Sequence, residues 1–331
     1  MASNPSLLLL DGSTGHELKL RGEDSFSTSM FANIERPEAV TAVHKSYVEA
    51  GCDVLTTNTF TLTPGALADV HRESELPALL HAACRCASDA AQAATNGRHV
   101  LIAGCLPPLN HCYLPELVPP KEDMMPVYEK IVKELAPRVD LFLAETLCSS
   151  AEACAVLQAA SASGRNCWLS LTLHDDVAES GPPTMRGGES ITELLEATQA
   201  LRLTPAALLY NCCAPSVVSR ALHWQPDPLP ATVERFGGYA NGFQSTTSEW
   251  LFSSGAAAMG CSPTPHQFSS CACPRPDDFD ASGLIKPDAY AAYAERWVHD
   301  GGANIIGGCC GVGPDHMRAV AQKLRSHSGS S

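Results

Sequence analysis

Two adjacent cysteines, Cys309 and Cys310, lie among three glycines, Gly307, Gly308 and Gly311, directly after a short apolar run. Neighbouring side chains of a regular strand point to opposite faces, so both thiols can reach one ion only where the backbone is irregular. Glycine permits such a backbone. The pattern therefore favours a turn that directs two thiols to one point.

A third thiol is offered upstream by Cys212 or Cys213, which also end an apolar run. Thiolates bind zinc, and a zinc site with three protein ligands leaves its fourth position open for a substrate. Together with Cys309 and Cys310, this third thiol predicts a catalytic zinc site that accepts a sulfur substrate. Either Cys212 or Cys213 taken alone also suits an ordinary core position, because free cysteine is among the most buried residue types.

Acidic and amide side chains occupy comparable positions elsewhere in the chain. Glu145 continues the apolar run 141–144. A carboxylate that continues a buried strand is costly unless it is paired, and this cost favours a functional role. Asp11, which precedes Gly12, suits a functional site, a plain turn or the cap of a following helix. Asn211 stands immediately before Cys212.

The segments that must position these residues alternate between apolar runs of strand length and longer stretches with helical spacing. The predicted strands cover residues 7–11, 53–60, 99–106, 140–146, 167–173, 207–213, 235–241 and 303–310. The predicted helices cover residues 37–50, 75–95, 125–136, 150–163, 190–200, 287–300 and 314–324. Pro37 and Pro287 suit first-turn positions, and Ser190 with Glu193 has capping-box spacing.

Strands that alternate with helices indicate a parallel sheet, because parallel neighbours need a crossover connection. Repetition of this unit along the whole chain predicts an α/β fold, a (β/α)₈ TIM barrel, with an open doubly wound sheet as the alternative. We expect a single domain over residues 1–331. Residues 250–259 are predicted as a weak helix, residues 262–280 as a long loop at the active-site rim, and the chain from about residue 326 as a disordered tail.

A barrel would bring the candidate residues together. The carboxyl ends of its strands open on one face, where barrel enzymes build their active sites. All candidates stand at predicted strand ends: Asp11-Gly12, Glu145-Thr146, Asn211-Cys212 and Cys309-Cys310. The sixth and eighth strands would lie about 10 Å apart, and cysteine side chains from both can meet one ion between them.

Composition narrows the class of protein. The chain has 331 residues, of which 45% are hydrophobic, and a net charge of -14. This acidity argues against nucleic acid and anionic membranes as partners, which leaves small-molecule chemistry. The first residues lack the basic region of a signal peptide, so we expect a cytoplasmic protein whose 15 cysteines are mostly reduced.

Several motifs together resemble the homocysteine S-methyltransferase family, from about residue 7 to about residue 324. The opening DG…EL segment at residues 10–18 is followed by blocks at residues 37–54, 56–60, 103–109, 239–242 and 307–311. The last block, GGCCG, is the most specific of these motifs. The resemblance implies a zinc-dependent barrel that acts on homocysteine and a methyl donor, as a monomer or small homo-oligomer.

Carried over to this sequence, the resemblance makes Cys212, Cys309 and Cys310 the zinc ligands. It implies catalytic roles for Glu145 and Asp11. The implied substrate-binding residues, which hold the amino acid end of homocysteine, are Asp11, Gly12, Ser13, Glu145 and Asn211. Tyr210 replaces a glycine that is usual in the family and is expected to narrow the pocket, and Cys105 is expected to be a packing variant.

The resemblance also bears on the methyl donor. The branch most similar to this chain uses sulfonium donors, S-methylmethionine or S-adenosylmethionine. Relatives that use betaine carry a tyrosine where this sequence has Thr61. Quaternary ammonium groups are recognised by aromatic cages, and the chain is only 6% aromatic. The alternatives are a betaine-homocysteine methyltransferase and a non-enzymatic barrel that stores zinc or senses redox state through its thiols.

Overall fold

The computed structural model describes residues 6–22, 26–94, 97–110, 112–175, 181–224, 229–230, 233–243 and 276–326. The predicted helix at residues 250–259 lies outside these residues. So do most of the predicted loop at 262–280 and the predicted tail beyond residue 326.

The strands form one parallel sheet of eight members. They are β1 (Leu8–Leu9), β2 (Val54–Thr56), β3 (Leu101–Leu106), β4 (Leu141–Leu147), β5 (Cys167–Leu171), β6 (Ala207–Asn211), β7 (Arg235–Tyr239) and β8 (Ile305–Ile306). Each strand pairs with the next along the chain from β2 to β8, and β8 pairs with β1. A bridge between Leu10 and Val54 joins β1 to β2 and closes the ring. The predicted (β/α)₈ barrel is confirmed, and the open sheet is excluded.

Helices connect the strands and surround them. They are α1 (Thr14–Leu20), α2 (Phe26–Glu35), α3 (Pro37–Ala50), α4 (Pro64–Ala68), α5 (Leu76–Gln92), α6 (Lys121–Leu135), α7 (Ser150–Ser161), α8 (Ile191–Ala200), α9 (Pro215–His223), α10 (Pro287–His299) and α11 (Pro314–Ser326). Short 3₁₀ turns lie at Glu73–Glu75, Pro115–Leu117, Ala136–Arg138 and Pro276–Asp278. None of the described helices is long and apolar enough to cross a membrane.

The seven helices predicted elsewhere than at residues 250–259 are present, and the residues predicted to start them occupy the expected positions. Pro37 and Pro287 occupy first-turn positions of α3 and α10. Ser190 and Glu193 form a reciprocal capping box at the start of α8. The sequence patterns missed α1, α2, α4 and α9, of which α1 and α4 are only 7 and 5 residues long.

The core has two layers because strand side chains alternate between faces. One face packs against the helices, and the other fills the barrel with Leu10, Leu143, Trp168, Leu209 and Ile305. Two residues further toward the carboxyl ends of the strands, the inward-facing positions carry mostly polar side chains. These residues are Thr56, Cys105, Glu145, Ser170, Asn211 and Tyr239. The site is built on this polar layer.

Candidate active site

Three thiols converge at the carboxyl-terminal mouth of the barrel. The Cys212 sulfur lies 3.0 Å from that of Cys309 and 3.7 Å from that of Cys310, and the Cys309 and Cys310 sulfurs are 3.8 Å apart. Cys212 follows β6, and the other two follow β8, two strands away. The structure therefore brings together the three cysteines that the sequence singled out.

The backbone at Cys212 decides which of two adjacent cysteines faces the mouth. Cys212 is left-handed, with a φ of 53°, a conformation uncommon for a residue other than glycine. This turn directs the Cys212 thiol to Cys309 and Cys310, while Cys213 is fully buried in the layer between sheet and helices. Of the two alternatives for the third thiol, Cys212 is the one that joins the cluster.

Glycines shape the turn that carries the other two cysteines. A Cβ at Gly308 would collide with the side chain of Val312, and a Cβ at Gly12 would collide with the carbonyl oxygen of Val312. Gly311 has a φ of +79°. The β8 ladder stops at Ile306, earlier than the predicted end at residue 310, because the chain turns within this segment. The irregular backbone that lets adjacent thiols meet is thus present.

The thiol geometry fits a zinc ion. Tetrahedral coordination with Zn–S bonds of about 2.3 Å places sulfur atoms about 3.8 Å apart. Two of the three sulfur separations match this value, and the 3.0 Å separation of Cys212 and Cys309 requires a shift of less than about 1 Å. All three sulfurs lie within 4.8 Å of one another. Three soft donors with room for a fourth ligand suit zinc.

The thiols also share their protons. Hydrogen bonds from Cys309 and Cys310 hold the pKa of Cys212 well below its usual range. The same bonds to Cys212 raise the pKa values of Cys309 and Cys310 well above theirs.

Glu145 lies at an irregularity near the end of β4. The β4–β5 register shifts between Ala144 and Leu147, and Thr146 is left-handed with a φ of 63°. The Glu145 side chain faces the cleft, where its Oε2 accepts a hydrogen bond of 3.1 Å from the Tyr239 hydroxyl. The Cys105 thiol also bonds this carboxyl group. Burial raises the pKa of Glu145 to about 7.

Asp11 is held by one partner on the neighbouring strand. Its Oδ2 accepts from the Thr56 backbone N–H and its Oδ1 from the Thr56 hydroxyl, both at 2.8 Å. Burial raises the pKa of Asp11 to about 8, despite these donors. The interpretation of Asp11 as a helix cap is wrong, because Ser13 caps α1 by accepting from the His16 N–H.

The other predicted substrate-binding residues differ in their access to the cleft. Gly12 and Ser13 line it, although the Ser13 N–H already donates to the Val312 carbonyl. Asn211 is fully buried, and its amide bonds Thr146 and Ser170. Asn211 therefore does not line the described part of the cleft but lies behind the residues that do.

The cleft has a volume of about 900 Å³, including its open mouth. Its far wall comes from α1, α2 and the turn after β2. The lining residues on that side include His16, Ser29, Asn58, Phe60 and Thr61. The three cysteines, Glu145 and Asp11 line the same cleft, which is large enough for small molecules.

Several contacts at the site are not predicted by the sequence patterns. Tyr239 and Thr56 lay in quoted motifs but had no assigned role, although counting inward positions along β7 and β2 would have placed both beside the carboxyl groups. Cys105 is buried as expected of a packing variant, yet it also bonds Glu145. The expectation that Tyr210 narrows the pocket is wrong, because Tyr210 points outward into the helix-facing layer.

A barrel whose mouth joins three thiols that could hold a metal ion to the carboxyl groups of Asp11 and Glu145 has the arrangement of a small-molecule active site. The family model of homocysteine S-methyltransferase matches residues 8–324. The chain therefore belongs to the homocysteine S-methyltransferase family, and it is a methyltransferase enzyme.

Solved structures with this fold include the homocysteine methyltransferase MmuM from Escherichia coli. Its metallated form is 22% identical, with a TM-score of 0.71, over 97% of this chain and 96% of that one. Its oxidised form is 23% identical, with a TM-score of 0.72 over the same shares, and its apo form is 22% identical, with a TM-score of 0.67 over 96% of each chain. At this identity the likeness supports the fold.

Proposed function

We propose that the protein is a zinc-dependent homocysteine S-methyltransferase that uses a sulfonium donor, S-methylmethionine or S-adenosylmethionine, and forms methionine. The observation that carries this proposal is the convergence of Cys212, Cys309 and Cys310 in one cleft with Glu145 and Asp11. The three thiols would hold the metal ion that binds the substrate sulfur. The carboxyl groups would bind the ammonium group of an amino acid substrate. Family membership supports the same substrate.

Cys212, Cys309 and Cys310 would hold the zinc ion. A bound zinc ion would supply a Lewis acid that keeps the homocysteine thiol deprotonated at neutral pH, whereas a free thiol has a pKa of about 8.5. The cysteines themselves leave one side of their cluster open to the cleft, since each of them lines it. The substrate sulfur would therefore reach the cluster from the cleft.

Glu145 would hold the substrate ammonium through a charge-assisted hydrogen bond. Tyr239 and Cys105 donate to its carboxyl group, so they favour the ionised form that this bond needs. Asp11, fixed by Thr56, would add a second carboxyl group, which is ionised above its pKa of about 8. Backbone N–H groups in the turn after Asp11 would meet the substrate carboxylate. These contacts orient the sulfur for in-line attack.

The far wall supports a sulfonium donor. Among the described residues that line the cleft, Phe60 and Tyr239 are the only ones with a phenyl or phenol ring, and Tyr239 is bonded to Glu145. An aromatic cage for a quaternary ammonium group is therefore not formed by the described residues. A sulfonium donor would leave as a neutral thioether, which is a better leaving group than the tertiary amine that betaine would give.

The test is methionine formation from homocysteine by zinc-loaded, reduced protein with a panel of methyl donors. We expect about one zinc per chain and turnover with at least one sulfonium donor. A zinc-storage or redox barrel would contain the thiol cluster but would have no use for Glu145 and Asp11. Zinc-loaded protein that transfers no methyl group from any donor would contradict the proposed function and favour that alternative.

A further inference from the structure

The left-handed turn at Cys212 is braced by two hydroxyl groups from other parts of the barrel. The Cys212 carbonyl oxygen accepts a hydrogen bond of 3.1 Å from the Tyr113 hydroxyl and one of 3.2 Å from the Thr172 hydroxyl. Tyr113 lies in the loop between β3 and α6, and Thr172 directly follows β5. A left-handed residue other than glycine persists only where its surroundings hold it, and these bonds hold Cys212.

One buried guanidinium organises both of these hydroxyl groups. Arg186 stacks on the Tyr113 ring, with its Cζ 4.3 Å from the ring centroid. Its Nε donates to the Thr172 hydroxyl at 3.2 Å, which orients that hydroxyl so that its own proton points to Cys212. The Arg186 side chain is only 15% exposed, so solvent does little to weaken these contacts.

The same guanidinium also acts on the residues after Cys212. Its Nη2 donates to Asp175 Oδ2 at 2.8 Å, and Asp175 Oδ1 accepts from the Ala214 N–H at 2.9 Å. Asp175 is 5% exposed and pairs directly with Arg186. The peptide groups on both sides of Cys213 are therefore fixed through Arg186: the Cys212 carbonyl by Tyr113 and Thr172, and the Ala214 N–H by Asp175.

We propose that Arg186 is a positioning residue for the metal ligand Cys212. It keeps the Cys212 thiol turned toward Cys309 and Cys310 without contacting the ion or the substrate. This inference rests on the proposed function, because it concerns the affinity of the same cysteines for zinc. Outer partners of metal ligands commonly contribute 10- to 100-fold in affinity.

The test is the zinc affinity of Arg186→Met, measured by competition with a chromogenic chelator, together with the absorption spectrum of the cobalt-substituted protein. We expect zinc to bind about 10- to 100-fold more weakly, with altered thiolate-to-cobalt bands. Tyr113→Phe, which removes one hydroxyl and keeps the ring, should change both readouts in the same direction and by less. Arg186→Lys should not restore affinity, because an ammonium cannot both stack and donate through a planar fork.

Arg72→Met is the matched control. Arg72 also stacks on an aromatic ring, that of Phe31 at 3.8 Å, and also pairs with a carboxylate, Glu75, but it lies away from the cleft. Its loss should leave zinc affinity unchanged.

The outcomes separate the two proposals. Unchanged zinc affinity in Arg186→Met and Tyr113→Phe, with normal zinc binding by the unaltered protein, would overturn this inference alone. An unaltered protein that binds no zinc would overturn the proposed function and this inference with it. If Arg186→Met does not fold, Thr172→Val decides the matter, because it removes the hydroxyl that Arg186 orients and that bonds the Cys212 carbonyl, and unchanged zinc affinity in that variant would overturn the inference.

Discussion

The side-chain amide of Asn211 clamps the backbone turn at Thr146. Asn211 Oδ1 accepts from the Thr146 N–H at 3.0 Å, and Asn211 Nδ2 donates to the Thr146 hydroxyl at 2.8 Å. Thr146 is the left-handed residue that follows Glu145, and Asn211 immediately precedes the left-handed Cys212. One buried amide thus couples the turn that presents the carboxyl group to the turn that presents the thiol.

Removing the Asn211–Thr146 bonds should lower both the stability of the protein and its affinity for homocysteine. Asn211→Ala leaves the buried Thr146 N–H and hydroxyl without their partner, and an unmet buried polar group costs about 1 to 3 kcal/mol. We expect the free energy of unfolding in urea to fall by about this amount and KM for homocysteine to rise. Ser170→Ala is the control, because it removes one bond to Asn211 and leaves the clamp intact. Equal effects of the two substitutions would contradict the role of the clamp.

Substitution of the two adjacent cysteines after β6 should have different effects on zinc binding and turnover. Cys212→Ala removes one of three converging thiols, so we expect loss of bound zinc and of turnover. Cys213→Ala should retain zinc, because Cys213 is fully buried against the helices, and its loss should lower only stability. Zinc content by elemental analysis and methyl transfer measure both effects. Zinc retained by Cys212→Ala and lost by Cys213→Ala would contradict the assignment.

Glu145→Gln should weaken homocysteine binding without disturbing the metal. The substitution keeps the shape of the side chain but removes the charge that faces the substrate ammonium. Loss of a charged hydrogen bond costs about 1.5 to 3 kcal/mol, so we expect KM to rise by roughly 10- to 100-fold with zinc content unchanged. Glu152→Gln is the matched control, since Glu152 is also buried but does not line the cleft. Unaltered kinetics in Glu145→Gln would remove Glu145 from the substrate site.

Binding of the amino acid end of the substrate should depend on pH. Burial raises the pKa of Glu145 to about 7 and that of Asp11 to about 8, and ammonium binding needs the ionised forms. L-Methionine has no thiol to ionise, so its affinity reports these carboxyl groups directly. We expect its affinity, measured by calorimetry, to rise from about pH 6, through the pKa values of Glu145 and Asp11, and to level off only above about pH 8. In Glu145→Gln the rise should be smaller, and a flat profile in the unaltered protein would contradict the prediction.

The same pKa values determine whether the ligand-free protein becomes more or less stable as pH rises. Both carboxyl groups have folded pKa values above their usual values of 4.5 for Glu145 and 3.8 for Asp11, so the folded state holds more protons. Their contribution to stability is therefore fully present below about pH 4 and is lost progressively as pH rises from there to about 7 for Glu145 and about 8 for Asp11. Glu145→Gln should reduce this loss, measured as the difference in urea midpoint between the two proteins across that range.

Periodic patterns in the sequence predicted the barrel and the location of the site, because strand and helix spacing reflect which face is buried. They could not distinguish Cys212 from Cys213. An extended strand would send Asn211 and Cys213 inward together with Leu209, and only the left-handed turn reverses this at Cys212. Nothing in the local sequence of a cysteine signals that turn. The bonds that hold it come from Tyr113 and Thr172, which are distant in the chain and which Arg186 contacts.

The preferred methyl donor should be a sulfonium. Methyl transfer from S-methylmethionine should be faster than from betaine, because a thioether is a better leaving group than a tertiary amine and because the described part of the cleft wall offers Phe60 and Thr61 in place of an aromatic cage. The quantity to measure is kcat/KM, with zinc-loaded protein under reducing conditions, so that oxidation of the Cys212–Cys309–Cys310 cluster cannot mimic inactivity. Phe60→Leu tests the wall itself, and we expect it to reduce kcat/KM for the sulfonium through lost cation–π contact while leaving homocysteine affinity unchanged. A clear preference for betaine would contradict the donor assignment and leave the roles of the three cysteines intact.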